Sequence, residues 1–314
     1  MKNLTDKKNH AVVRVPGTSA NCGPGFDCLG LATTIYNYLD LTLLRSNKIV
    51  VEATGEGAEN IPRGRKNLAW QAIRRLLQKV GREDEFKGAI IRMKNNVPLS
   101  RGLGSSSTAI VAGLVATNEI LGSPLNRQEL LKLATELEGH PDNVAPALFG
   151  GFTVSVMNKG EVQTFSFLPR IKLKLIVAVP DFELSTRLAR KVLPKNVSMK
   201  DAIFNISRAS MLIAALVEGR EELLPLAFDD ALHQPYRKKL VPGMTEVFEA
   251  AKSAGALGAA ISGAGSCLIS FTSAHSGLEE KIAAAMVEEF KVHGVESKAL
   301  ILNVDNKGAQ VLKR

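Results

Sequence analysis

The stretch from Val97 to Ile110, VPLSRGLGSSSTAI, sets a Pro, two Gly and three consecutive Ser against an apolar run, Ile110, Val111, Leu114, Val115 and Leu121, at helical spacing. A glycine loop therefore opens a helix. The first N–H groups of a helix lack internal partners and its end carries partial positive charge, so an anion is the natural ligand there. Gly102 and Gly104 keep side chains off the approach, and Ser105, Ser106 and Ser107 add hydroxyls suited to phosphate oxygens or a metal ion. A Ser105 helix cap and simple chain turns would use the same residues without a ligand. No Lys-Ser or Lys-Thr follows the second Gly, which excludes a Walker A loop, and Ser107 stands where a dinucleotide-binding loop needs its third Gly.

Four other stretches hold polar groups that could act with this loop. GTSANCGPGFDCLG, Gly17 to Gly30, carries Asn21 and Asp27 between an expected strand at Ala11 to Val15 and the apolar run Leu29 to Ile35. Turn chemistry accounts for an Asn and an Asp among glycines, but long ordered loops commonly carry binding groups. ELEGHPDNVAPALFGG, Glu136 to Gly151, gathers Glu136, Glu138, His140 and Asp142 near a helix end. On residue type alone the glutamates read as solvated helix surface and His140 as a hydrogen-bonded structural residue. STRLARKVLP, Ser185 to Pro194, reads as a basic surface helix, and LHQPYRKKLVPG, Leu232 to Gly243, carries Arg237. A guanidinium fork suits a carboxylate, giving paired charge-assisted hydrogen bonds.

Pro98 to Thr108, PLSRGLGSSST, resembles the phosphate-binding motif of the GHMP kinases, the family named for galactokinase, homoserine kinase, mevalonate kinase and phosphomevalonate kinase. Within that family Val13 to Leu31, the ELEG and DNVAP segments with their Gly pair, STRLAR and HQPYR are together similar to homoserine kinases, in order from Val13 to Phe271. The resemblance implies transfer of phosphate from ATP to the side-chain hydroxyl of L-homoserine. It also implies a two-domain α/β (α+β) GHMP kinase fold, a ribosomal-protein-like domain at 1–168 and a ferredoxin-like domain at 169–314, with the active site between them.

The same resemblance implies residue roles. ATP falls to Asn67, whose Asn-Leu pair matches one near the base, and to Pro98, Ser100, Arg101, Gly102, Leu103, Gly104, Ser105, Ser106 and Ser107. Mg2+ falls to Ser106 and Glu138, a hydroxyl and a carboxylate that suit a hard cation bridging phosphates. Homoserine falls to Asn21, Asp27, Asn143, Thr186, Arg190, Arg237 and Gly263, the last within the glycine loop Ser262 to Gly265. Asp142 stands where some GHMP kinases carry a catalytic base and homoserine kinases manage without one. Ser106, Glu138, Asp142 and Asn143 thus form the expected catalytic set. Only Gly139, His140 and Pro141 separate Glu138 from Asp142, fewer residues than in many homoserine kinases.

The elements that must position these groups are legible in outline. Strands are expected at Tyr38 to Leu44, Lys48 to Ala53 and Phe86 to Met93, and a hairpin joins Phe152 to Met157 with Val162 to Leu168 through Asn158-Lys159-Gly160. Asn67 can cap a helix whose apolar face includes Trp70, which that periodicity assigns to the core. A helix from Asn126 to Leu137, a buried strand from Leu173 to Val179, a helix from Ala202 to Val217, and a strand pair flanking Ser262 to Gly265 follow. A helix at Leu278 to Phe290 and a strand at Lys298 to Val304 complete the chain.

A chain of 314 residues with 45% hydrophobic and 23% charged residues is that of a globular protein with an ample core. Its charged beginning, MKNLTDKKNH, lacks a signal-like apolar stretch, and Gly255 to Phe271 is too short and too rich in Gly and Ser to span a bilayer. Cys22, Cys28 and Cys267 are odd in number and lack metal-ligand spacing. A cytoplasmic location without membrane contact is expected. The net charge of +9 permits an anionic ligand, while four Trp and Tyr residues give no aromatic-studded nucleic-acid surface, so no nucleic-acid partner is expected. For assembly the working expectation is a homodimer.

Overall fold

A computed structural model of the chain describes residues 9–313; residues 1–8, with most of the charged N-terminal stretch, lie outside them. The first half comprises β1 (His10–Ala20), β2 (Leu29–Leu44), β3 (Ile49–Gly55), α1 (Leu68–Lys79), β4 (Gly88–Asn95), α2 (Ser105–Ile120), α3 (Arg127–Glu138), α4 (Pro141–Phe149), β5 (Phe152–Asn158) and β6 (Glu161–Phe167). The second comprises β7 (Leu173–Pro180), α5 (Thr186–Lys191), α6 (Met199–Glu218), α7 (Gln234–Arg237), α8 (Met244–Ser253), β8 (Gly258–Ile261), β9 (Leu268–Ser273), α9 (Glu279–Val292), β10 (Ser297–Asn303) and β11 (Gln310–Lys313).

Two sheets result. The seven-stranded sheet runs β11-β1-β2-β4-β3, with β5 on the inner end of β2 and β6 on β5; the four-stranded antiparallel sheet runs β10-β7-β9-β8. Leu39, Leu41 and Leu43, alternating along β2, face the core beneath α1 to α4 with Trp70, Ile73, Leu76 and Leu77 of α1. In β7 the alternation splits between two cores. Leu173, Leu175, Val177 and Val179 pack toward α6 and the inner ends of the first sheet, while Ile176 and Ala178 pack toward α8 and α9. Each fully buried side chain of this kind is worth about 1.5–3 kcal/mol, so a strand buried on both faces fixes the two halves against each other.

Several elements differ from the sequence reading. β1 continues to Ala20, because a register shift between Pro16 and Thr18 absorbs the proline that cannot donate to the ladder. The loop carrying Asn21 and Asp27 is correspondingly short and tight. β2 is one strand of 16 residues, joining the expected apolar run and the strand after it. DNVAP lies in α4, with Pro141 in its first turn and Pro146 inside it. β11, which the periodicity does not reveal in so short a stretch, returns the end of the chain to β1.

Candidate active site

The cleft between the two halves has a volume of about 280 Å³ and is lined by the glycine loop, the loop after β1, the start of α4, α5, Arg237 and the loop Gly263 to Gly265. Gly104, in left-handed backbone at φ 69°, is the N-cap of α2, and no side chain caps the helix. Ser105 therefore is not the cap, and the helix end faces the cleft through Gly104, Ser105 and Ser106. Two contacts exclude larger residues here. A Cβ at Gly102 would lie 2.0 Å from the Ser262 carbonyl oxygen, and one at Gly104 would lie 2.0 Å from Thr18 Oγ1. Clasping bonds explain the closeness: Thr18 N donates to the Leu103 carbonyl at 3.0 Å, and Ser262 Oγ donates to the Gly102 carbonyl at 2.7 Å.

Glu138 ends α3 beside this helix start. Its Oε1 accepts from Ser106 Oγ at 2.7 Å and from Ser107 Oγ at 2.9 Å. One hydroxyl and one carboxylate oxygen that already meet are a hard-oxygen donor pair, which fits Mg2+. No group of three His, Cys, Asp or Glu side chains suited to a metal occurs among the described residues, so the remaining ligands would be water and phosphate oxygens.

The opposite wall is made of side chains. Asn21 and Asp27 both adopt left-handed backbone, at φ 70° and 57°, which Asn and Asp tolerate better than most residues. Asn21 Nδ2 donates to the Gly263 carbonyl at 2.8 Å while its Oδ1 accepts from Asp27 N at 3.0 Å, so this side chain braces the loop. Asp27 and Arg190 form a two-point ion pair at 2.7 and 3.0 Å. That hydrogen bond outweighs the desolvation of Arg190 and raises its pKa further. With side chains 35% and 37% exposed, the pair adds little stability, of the order of 0–1 kcal/mol. It is thus free to open for a ligand carrying both charges.

Arg237 is 2% exposed and lines the cleft. Its Nε donates to the Ala189 carbonyl at 3.3 Å and its Nη1 to the Gly263 carbonyl at 2.9 Å. Burial, followed by the charge of Arg190, pulls its pKa down to about 10, so it stays cationic at neutral pH. Asn143 Oδ1 accepts from Thr18 Oγ1 at 2.8 Å. Asp142 is 2% exposed and hydrogen-bonded to His140 Nδ1. Burial of His140 opposes its protonation, but that bond and the charges of Asp142 and Glu138 prevail, so its pKa rises.

Ser100, Arg101, Gly102, Gly104, Ser105, Ser106, Glu138, Asp142, Asn143, Asn21, Asp27, Thr186, Arg190, Arg237 and Gly263 all reach the cleft lining. Pro98, Leu103 and Ser107 are buried behind it. Asn67 is elsewhere engaged. Its Oδ1 accepts from Trp70 N at 3.2 Å as the cap of α1, its Nδ2 donates to the Pro62 carbonyl at 3.1 Å, and Trp70 is core. The Arg101 guanidinium turns onto the carbonyls of Pro180, Asp181 and Phe182, where it ties the loop to the end of β7. His140 joins the lining as well as hydrogen-bonding, and its place between Glu138 and Asp142 was the signal for it. Leu99, Leu184, Ser185, Ala264 and Gly265 also line the cleft. Leu184 carried no signal of its own, being brought in by the turn before α5, whereas Ser185 opens the STRLAR motif as the N-cap of α5.

The family model for the GHMP kinases N terminal domain matches residues 67–151, and that for the GHMP kinases C terminal matches residues 212–292. The chain is 45% identical over 302 residues to homoserine kinase of Moorella thermoacetica, covering 96% of this chain and 99% of that protein. It is 42% identical over 300 residues to homoserine kinase of Desulfitobacterium hafniense, covering 96% and 99%. The crystal structure of homoserine kinase from Cytophaga hutchinsonii superposes with a TM-score of 0.88 at 30% identity, covering 97% of this chain and 98% of that one. A mevalonate kinase structure, at 16% identity and a TM-score of 0.68, shares the fold. Motif order, cleft geometry and these likenesses over nearly the whole length agree: the chain belongs to the homoserine kinase family of the GHMP kinases.

Proposed function

We propose that this protein transfers the γ-phosphoryl group of ATP to the side-chain hydroxyl of L-homoserine, forming O-phospho-L-homoserine for threonine biosynthesis. The observation that carries the reading is the pairing, across one cleft, of an uncapped glycine-flanked helix start with the Asp27, Arg190 and Arg237 set. The helix start suits phosphate. An Asp with two Arg suits the two charged ends of an amino acid.

In this reading Ser100 to Gly102 and Gly104 to Ser106 hold the ATP phosphates through backbone N–H groups, with Leu103 and Ser107 packed behind them, and Ser106 with Glu138 would hold Mg2+. That ion, when bound, neutralises the charge that develops between the leaving and transferred phosphates. Asp27 takes the α-ammonium, Arg190 and Arg237 take the α-carboxylate, and Asn143 and Thr186 turn the hydroxyl toward the γ-phosphate. Asn21 and Gly263 brace this wall. As the phosphorus bond to ADP breaks, its bond to the homoserine oxygen forms, and the hydroxyl proton passes to solvent water. The loose transition state asks chiefly for alignment and charge neutralisation, which preformed groups supply. Asp142 orients rather than abstracts. The reading includes a cytoplasmic location, in keeping with three unpaired thiols, and assembly as a homodimer.

ADP release by the purified protein with Mg-ATP, measured separately with homoserine, serine, threonine, mevalonate and shikimate, tests the substrate. Release specific to homoserine is expected. Equal or greater release with mevalonate or shikimate, which carry no ammonium group, overturns it.

A further inference from the structure

Arg237 is a buried cation with no carboxylate within ion-pair distance among the described residues, and its one side-chain acceptor there, beside the carbonyls of Ala189 and Gly263, is His233, the residue one helical turn earlier. The His233 ring is fully buried, with Nδ1 3.2 Å from Arg237 Nη1 and Nε2 2.8 Å from the Gly23 carbonyl oxygen. A guanidinium nitrogen only donates, so Nδ1 bears the lone pair; a carbonyl oxygen only accepts, so Nε2 bears the hydrogen. Both neighbours select the same neutral tautomer. Burial, reinforced by the charge of Arg237, holds the imidazole pKa below its usual value against the opposing pull of Asp230, the Gly23 carbonyl and Asp27.

The surroundings leave the ring little freedom. Phe26 stacks on it with centroids 5.1 Å apart, and the Arg190 and Arg237 guanidinium carbons lie 5.6 and 5.3 Å from the same Phe26 ring. Asp230 anchors the backbone beneath, accepting from the N–H groups of Leu232, His233 and Gln234 at 3.0, 2.9 and 2.7 Å. Gly23 belongs to the loop that presents Asn21 and Asp27. The His233 ring therefore bridges that loop to the arginine fork.

We propose that His233, locked as the neutral Nε2–H tautomer, is a positioning residue that sets the spacing between Asp27 and Arg237, the groups assigned to the opposite charges of homoserine. The assignment rests on the homoserine reading above. Leu in place of His233 removes one of the two acceptors of Arg237 Nη1, leaving it the Gly263 carbonyl alone, and takes the imidazole donor from the Gly23 carbonyl, whereas a Gln amide offers one acceptor and one donor in their place.

For His233→Leu the homoserine KM rises about tenfold or more, with the ATP KM and kcat within about twofold, because only the spacing of ground-state contacts changes. His233→Gln recovers most of that loss. Nitrogen-15 NMR of the unmodified protein at neutral pH shows one buried imidazole in the Nε2–H form. An Nδ1–H or a charged His233 imidazole overturns the proposal even if the leucine variant does not fold, as does a homoserine KM unmoved in both variants or an ATP KM that rises in parallel. Absence of homoserine turnover by the unsubstituted protein refutes the homoserine reading instead, while the NMR result still decides the tautomer.

Discussion

The two walls of the cleft are built on different principles. The wall proposed to hold phosphate is backbone: a helix start approached by Gly102 and Gly104, each pressed to within a Cβ's width of its neighbours. The acceptor wall is side chain: Asn21, Asp27, Arg190, Arg237 and His233 come from three separate segments and meet through buried or half-buried hydrogen bonds. Backbone amides recognise a phosphate wherever it occurs. Paired charges of both signs recognise a particular small molecule, so the first wall is suited to be shared among kinases and the second to distinguish acceptors.

Substitutions should separate the walls. The largest effect is expected for Arg237→Ala, which removes a buried cation and its bonds to His233 Nδ1 and the Ala189 and Gly263 carbonyls: kcat/KM for homoserine falls about a hundredfold or more, against a change within about twofold in the ATP KM. Equal weakening of both substrates would erase the distinction. Glu138→Gln acts on the phosphate wall, lowering kcat about thirtyfold with a raised magnesium requirement and little change in homoserine KM. Asp27→Asn should raise homoserine KM about tenfold, the cost of one charged contact, with a change in melting temperature of no more than a degree or two, since an ion pair a third exposed is worth little. For Asp142→Asn a turnover loss below about tenfold is expected, and a larger one would restore an essential base.

The smallest effect concerns stability. Because burial lowers the pKa of His233 in the folded protein, the unfolded chain takes up a proton near pH ~6.5 that the folded chain resists. Stability due to this group is therefore complete above pH ~6.5 and declines as pH falls through and below that value. His233→Gln, which does not titrate, should show a smaller loss of melting temperature on acidification from pH 7.5 than the unsubstituted protein. An identical loss would mean the imidazole is protonated in the fold.

The same contrast governs what the sequence disclosed. The wall proposed to hold phosphate is local: glycines, serines and a helical period within Val97 to Ile120 made the glycine loop and the helix start legible, and the alternative of a Ser105 cap gives way to Gly104 as N-cap. The hairpin β5–β6, the cap at Asn67 and the strand β7 were legible for the same reason, since periodicity and turn chemistry act over a few residues. The acceptor wall depends on distant pairings. Residue type alone left Asn21 and Asp27 as turn residues and Arg190 as a surface residue and gave Arg237 only a guanidinium suited to a carboxylate, and family resemblance was what singled them out. That Asp27 and Arg190 bond each other, that Arg101 turns onto β7, and that His233 carries Arg237 all follow from contacts spanning the two halves or, for His233, from burial. Apart from the four-residue spacing of His233 and Arg237, no local pattern records them.

The central claim, that the acceptor wall reads both charges of an amino acid, is tested most directly by comparing homoserine with its deaminated analogue, 4-hydroxybutyrate, in the same ADP-release assay. The account predicts kcat/KM lower by about a hundredfold or more for the analogue, since its carboxylate leaves Asp27 without an ammonium partner. Comparable rates with both would show that Asp27 and Arg190 merely hold each other, and would contradict the account.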